Sequence, residues 1–387
     1  MSGNLGRPAL EDLVTDQEIV VCCGPGGVGK TTIAASLALE CAARGRRACV
    51  VTIDPARRLA NALGLSEVGD SPARIEGDWP GELWALMLDT KSTFDALVTR
   101  HAATAEQADA ILQNRLYRNI SGVLSGTHEY MAMEKLYELH EQGRLPESSD
   151  HGAPRFDLVV VDTPPSRNAL DFVDAPRRLT HLLDNRIFRL LMVPTRAYLR
   201  AVSVATQAFL RTISKVVGAE VVTDVVAFFQ AFEGMEEGFR QRAQDVHDLI
   251  TSDASVFVLV ASPARDAVRE AAYFADKLAE AGIPTSALVV NRVHPRFGED
   301  GPRGGSEGGL GGGAAPAELA PFYANLAEFT DIAGREESHF ATLAARVAPA
   351  PVARVPFLPA DVHDLEGLQA VADELFLRPG SETPVPQ

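Results

Sequence analysis

Cysteine is scarce in this chain of 387 residues, and the four present, Cys22, Cys23, Cys41 and Cys49, all fall within the first 49. They lie on runs that read as strand and helix, so they form neither a disulfide framework nor a zinc-ligand spacing, and they read as small buried apolar side chains. Runs of Lys and Arg are absent too, and 52 acidic against 36 basic residues leave a formal net charge of −16. That balance excludes the electrostatic footprint of a protein whose main ligand is nucleic acid or an anionic lipid surface. No apolar stretch approaches the roughly 20 residues that span a bilayer. The opening residues, MSGNLGRPALEDLVTDQ, carry neither the basic region nor the apolar core of a signal peptide. A cytoplasmic protein without direct membrane insertion is expected.

What the chain does have is a succession of short, continuous apolar runs: EIVVCC, ACVVTI, LWALML, FDLVVV, SVFVLV, TSALVV and PVARVPF. Continuous rather than alternating apolarity suits strands covered on both faces, and the helical patterns between them imply crossovers in a mainly parallel sheet. Residues 31–44 place Ile33, Leu37 and Cys41 on one helical face ahead of Gly45, a suitable helix-terminating residue. The fold class is therefore α/β, a doubly wound and mainly parallel sheet. Residues 1–17 form a leading segment and 18–377 one domain, with helical insertions over about 91–143 and 174–252. Residues 297–318 read as a glycine-rich loop and 378–387 as a disordered tail. The second insertion is rich in bulky apolar residues at helical spacing. Packing against the sheet explains them most simply, and a groove for an apolar client is the alternative.

The chemistry concentrates in VVCCGPGGVGKTT, Val20 to Thr32. Gly24, Gly29, Lys30 and Thr31 fit G-x-x-x-x-G-K-[ST], preceded by a strand and followed by a helix, the context that makes this pattern a phosphate cradle. Glycines let backbone N–H groups of Gly26, Gly27, Val28 and Gly29 approach phosphate oxygens. Lys30 supplies a point charge, Thr31 a hydroxyl for Mg²⁺ and Thr32 continues the site into the helix. Asp162 closes FDLVVVDT, where a strand-end carboxylate holds or organises Mg²⁺, directly or through water. Asp54 closes ACVVTIDPA, beside the phosphates and placed to orient an attacking water. Lys30 and Asp54 are the catalytic candidates, the phosphates of a nucleotide and Mg²⁺ the expected ligands, and in-line attack of water on the γ-phosphate the implied reaction. No internal repeat is present, so there is one such loop.

With these motifs in place the chain resembles the ATPases that drive arsenical pumps and those that deliver tail-anchored membrane proteins. GPGGVGKTT stands against the family's G-K-G-G-V-G-K-T-T, Asp54-Pro55-Ala56 against D-P-A, and DTPPSRN (Asp162 to Asn168) against D-T-A-P-T-G-H. The resemblance implies that the nucleotide is ATP and that Asn291 of LVVNRV meets the adenine ring, with Pro356 and Phe357 beside it. It also implies a dimer across the nucleotide face, a homodimer or a heterodimer with a related ATPase subunit, that couples nucleotide state to a protein client or a membrane-protein partner. The chain departs from the family at Pro25. There the family's lysine reaches the partner's phosphates, and proline has neither charge nor N–H. Turnover is then expected to be slow unless Arg57, Arg58 or Arg167 substitutes, and a weakly active or inactive nucleotide-dependent binding subunit is the alternative. The cysteines, two on opposite faces of one strand and none after Cys49, give no convergent thiolates for a metalloid, and the cysteine pair that binds zinc in tail-anchored-protein ATPases is missing.

Overall fold

The computed structural model describes residues 10–53, 58–65, 69–120, 127–144, 154–164, 175, 177, 180, 219–295 and 320–376. The glycine-rich segment 297–318, the tail 378–387 and most of the second insertion lie outside them. Each of the seven apolar runs is a strand: β1 (Ile19–Cys23), β2 (Arg47–Thr52), β4 (Glu82–Met87), β5 (Leu158–Asp162), β6 (Ser255–Ala261), β7 (Thr285–Val293) and β8 (Val352–Pro356). An eighth, β3 (Ala73–Ile75), was not anticipated, because three residues carry no legible pattern. The sheet order is β3-β4-β2-β5-β1-β6-β7-β8, and every pairing is parallel except β3 with β4. From β1 the chain runs to β2, β3 and β4 on one side, returns to place β5 beside β1, and then crosses to β6, β7 and β8 on the other, so the carboxyl ends of β1 and β5 flank the topological switch point where such sheets bind ligands.

Continuous apolarity has the expected cause. Val20, Cys22, Val50, Val160 and Val258 face one core, and their neighbours Val21, Cys23, Val51, Val161 and Leu259 face the other. The helix Lys30–Ala43 lies on the first face. Its end closes at Gly45 (φ 88°), with Gly45 N–H donating to Ala42 O at 3.0 Å and Arg46 N–H to Cys41 O at 3.2 Å, the paired bonds of a Schellman cap. The single apolar face expected of this helix is too little, however. Ala34, Ala35, Ala38 and Leu39 are buried as well as Ile33, Leu37 and Cys41, because a second helix, Leu365–Leu375, covers its outer side and Leu368 O accepts a hydrogen bond from Ser36 Oγ at 3.0 Å.

The opposite face is covered by four long helices, Thr127–Arg144, Glu236–Thr251, Arg265–Glu280 and Ala320–Val347. A third core lies apart from both sheet faces. Leu97, Val98, Ile111 and Tyr117 from the first long insertion meet Phe228, Phe232 and Phe239 from the second. Phe228, Phe232, Met235, Phe239 and Ala243 of the second insertion thus pack on the first and not on the sheet, a correction to the expectation above, whereas Val246 and Ile250 near its end do pack on the sheet as expected. The two insertions satisfy each other's apolar surface, so Phe228 and Phe232 need no strand beneath them. The helices Thr127–Arg144 and Glu236–Thr251 belong to two cores at once: Tyr130, Met131, Phe239 and Ala243 to the third, Met133, Leu136, Val246 and Ile250 to the sheet. At the junction, Arg242 Nε and Nη2 donate to both oxygens of Glu134 at 2.7 to 2.9 Å while the guanidinium sits 3.9 Å from the Tyr137 ring centre.

Candidate nucleotide site

The loop between β1 and the helix Lys30–Ala43 is shaped by glycine where nothing else fits. Gly24 has φ 142°, and a Cβ there would be driven into the Val260 carbonyl of β6. At Gly29 (φ 93°) it would meet the Asn291 side-chain amide. Gly29 caps the helix without a side-chain hydrogen bond, so the first helical N–H groups are presented to the loop. Lys30 is buried, and its ammonium donates to Gly24 O at 3.0 Å and Pro25 O at 2.8 Å, so the loop closes over its own cation. Pro25 and Val28 are buried, whereas Gly26 and Gly27 are exposed.

Strand register assembles the rest. Cys22 of β1 and Thr52 of β2 both pair with Asp162 of β5, and the Asp162 carboxylate accepts from Thr31 Oγ1 at 2.7 Å and Thr52 Oγ1 at 2.9 Å. Thr163 Oγ1 donates to Cys22 O at 2.8 Å and locks the strand ends together. Asp162 is 1% exposed, a setting in which two hydroxyl donors support a charge that burial alone would disfavour. Beneath it the Cys22 thiol is pushed well up, first by burial and then by the Asp162 charge. Burial likewise raises Cys23 and Cys41 to about 12, so these cysteines are buried thiols split between the two sheet faces. Among the described residues no group of three or more His, Cys, Asp or Glu side chains could hold a metal. One hydroxyl beside one carboxylate is instead the donor set of a magnesium ion that completes its shell with water and phosphate oxygens. The glycine cradle and this pair therefore fit a magnesium nucleotide.

On the far side of the loop, Asn291 at the end of β7 donates from Nδ2 to Val28 O at 2.9 Å. It lines a cleft of about 260 Å³ together with Thr32, Arg292, Pro356, Phe357 and Leu358. The structure thus gathers Thr32, Asn291, Pro356 and Phe357 around one opening beside the loop, with Phe357 61% exposed. Asp54, Pro55, Ala56, Arg57 and Arg167 lie outside the described residues. Arg58 heads the short helix Arg58–Ala62, and nothing is described of its side chain. Thr52 and Arg292 were missed by sequence reasoning. A hydroxyl residue closing an apolar strand just before Asp54 was the available signal for Thr52, and no pattern marked Arg292.

A loop of this construction, at the switch point of a parallel sheet, defines a P-loop nucleotide-binding protein. The chain belongs to the anion-transporting ATPase family, whose model matches residues 17–301. It is 31% identical to an uncharacterized protein of Streptomyces coelicolor over 70% of this chain and 61% of that one. It is 26% identical to the ATPase ARSA1 of Chlamydomonas reinhardtii over 72% of this chain and 35% of that one. Identity is again 26% to an arsenical pump-driving ATPase of Acidiphilium multivorum, over 70% of this chain and 39% of the relative. The chain therefore spans between about a third and three fifths of the length of these relatives. Among the described residues no helix is long and apolar enough to cross a membrane.

Proposed function

We propose that the protein binds Mg-ATP at this loop, hydrolyses it slowly, and couples nucleotide state to a protein client or membrane-protein partner as a dimer. The observation that carries the proposal is the convergence of Lys30, Thr31 and Asp162 at the end of β1 and β5, with Thr31 and Asp162 already joined at 2.7 Å. Magnesium, when bound, draws negative charge from the phosphate oxygens. Thr31 and Asp162 are the residues to hold it, Asp162 directly or through water. Lys30 exchanges the carbonyls of Gly24 and Pro25 for phosphate oxygens, a trade of neutral acceptors for charged ones. Asn291, Pro356 and Phe357 border the cleft that suits the adenine ring, and Asp54 is assigned the orientation of the attacking water.

A second reading has its own observation. Pro25 leaves the loop without the family's second cation, so occupancy without useful turnover would make the chain a nucleotide-dependent binding subunit, on its own or within a heterodimer. Steady-state phosphate release decides between them. Release by the wild-type chain that Asp54→Asn abolishes supports hydrolysis, and equal release by both leaves only binding. Calorimetry of Mg-ATP with Lys30→Ala tests the site itself: unchanged affinity would overturn both readings.

A further inference from the structure

We infer that Arg292 supplies, within its own protomer, the second positive charge on the nucleotide's phosphates, a role vacated by proline at position 25. The inference rests on the nucleotide reading above and deepens it.

Arg292 is the one non-glycine residue with positive φ among those described, at 62°, in a left-handed conformation that costs an L residue steric energy. The pairing of β7 with β8 shifts register between Asn291 and Val293, so Arg292 occupies the irregular position. Its N–H donates to Asn291 Oδ1 at 2.9 Å, which holds the turn. The same Asn291 holds the loop through Val28 O, so turn and loop are fixed to each other.

The consequence is where the guanidinium goes. Arg292 Nη1 donates to Gly27 O at 3.2 Å, over the exposed part of the loop, while the residue also lines the cleft that holds Thr32, Asn291 and Phe357. It therefore stands between a cleft of base size and a cradle for phosphates, the path a nucleotide's phosphate chain must take. Lys30 approaches the loop from inside, at Gly24 O and Pro25 O. Arg292 approaches from outside, and the contact it makes there is to a neutral carbonyl that a phosphate oxygen would outcompete. A guanidinium presents five N–H groups in a planar fork that matches two phosphate oxygens, and its reach makes up for a backbone position outside the loop. Strain retained at a position that sends a cation toward the ligand path is the pattern of a residue kept for binding.

The test compares Arg292→Gly and Arg292→Lys with the wild-type chain, titrated with Mg-ADP and with adenosine. Glycine suits φ 62°, so Arg292→Gly should leave the thermal midpoint of the ligand-free protein unchanged or raise it. Mg-ADP should bind about tenfold more weakly, as expected for loss of a charge-assisted contact, with a shallower dependence on salt. Adenosine affinity should stay constant, and Lys should restore part of the loss. Equal weakening for adenosine and Mg-ADP, or no weakening for Mg-ADP, would overturn the role of Arg292 and reduce it to a prop for the loop. Failure of the wild-type chain to bind Mg-ADP at all would instead remove the nucleotide reading, and this inference with it.

Discussion

At the scale of single residues, the candidate site is built from groups whose replacement has a definite expected cost. Gly24→Ala introduces a Cβ against the Val260 carbonyl at a φ of 142°, a conflict between two backbones that no rotamer relieves. Mg-ATP binding should be lost and the thermal midpoint lowered, as calorimetry and a melting curve would show. Asp162→Asn keeps the shape and an acceptor for Thr31 and Thr52 but removes the charge that a hard cation requires. Nucleotide affinity measured with magnesium should then fall to the value measured with a chelator, while the wild-type chain keeps a difference between the two. The glycines, Lys30 and Thr31 were legible because their spacing is a local property of one turn. Thr52 and Arg292 were not, since each acquires its place from strand pairing: Thr52 through register with Asp162, Arg292 through the irregularity beside β8.

Elements carry a different set of consequences. The apolar runs announced seven strands because burial on both faces leaves no room for polar alternation, whereas β3 borrows its structure from β4 and has no signal of its own. The helices of the two insertions were visible by period, but their packing on one another was not, since period says that a face is buried without saying against what. Where two of these helices cross, the Glu134 side chain is 3% exposed and that of Arg242 13%. Glu134→Gln would leave the half-buried Arg242 guanidinium without the countercharge of the buried Glu134, and unfolding in urea should show a loss of about 3 kcal/mol. Adding Arg242→Met should recover much of that loss, because an apolar pair needs no compensation. The neighbouring helix Thr90–His101 adds a pH dependence. Burial, its largest influence, holds the His101 imidazole below its ordinary value of 6.5, so between its folded and unfolded values the unfolded chain binds more protons. Stability from this group is complete above about pH 6.5 and is lost as the pH falls through the folded value. Urea midpoints should decline on acidification below that point, and His101→Gln should flatten the slope.

For the molecule as a whole, the proposed coupling of nucleotide to partner would require that the third core respond to the sheet. Hydrogen exchange of the Phe228–Phe232 region should differ with and without Mg-ATP, and identical protection would disconnect this core from the loop. Residues 187–192, an apolar stretch of the same insertion, lie outside the described residues. Light scattering of the Asp54→Asn chain should show the mass doubling when Mg-ATP is added, if the nucleotide face is the dimer face. The shared helices suggest how such a response could be large. Thr127–Arg144 has 18 residues and is about 27 Å long. A tilt of roughly five degrees where it rests on β5 would carry its far end some 2 Å at ~1.5 Å of rise per residue. A rigid lever of this kind, clamped to its neighbour at Glu134 and Arg242, would carry a small tilt at the sheet into the third core.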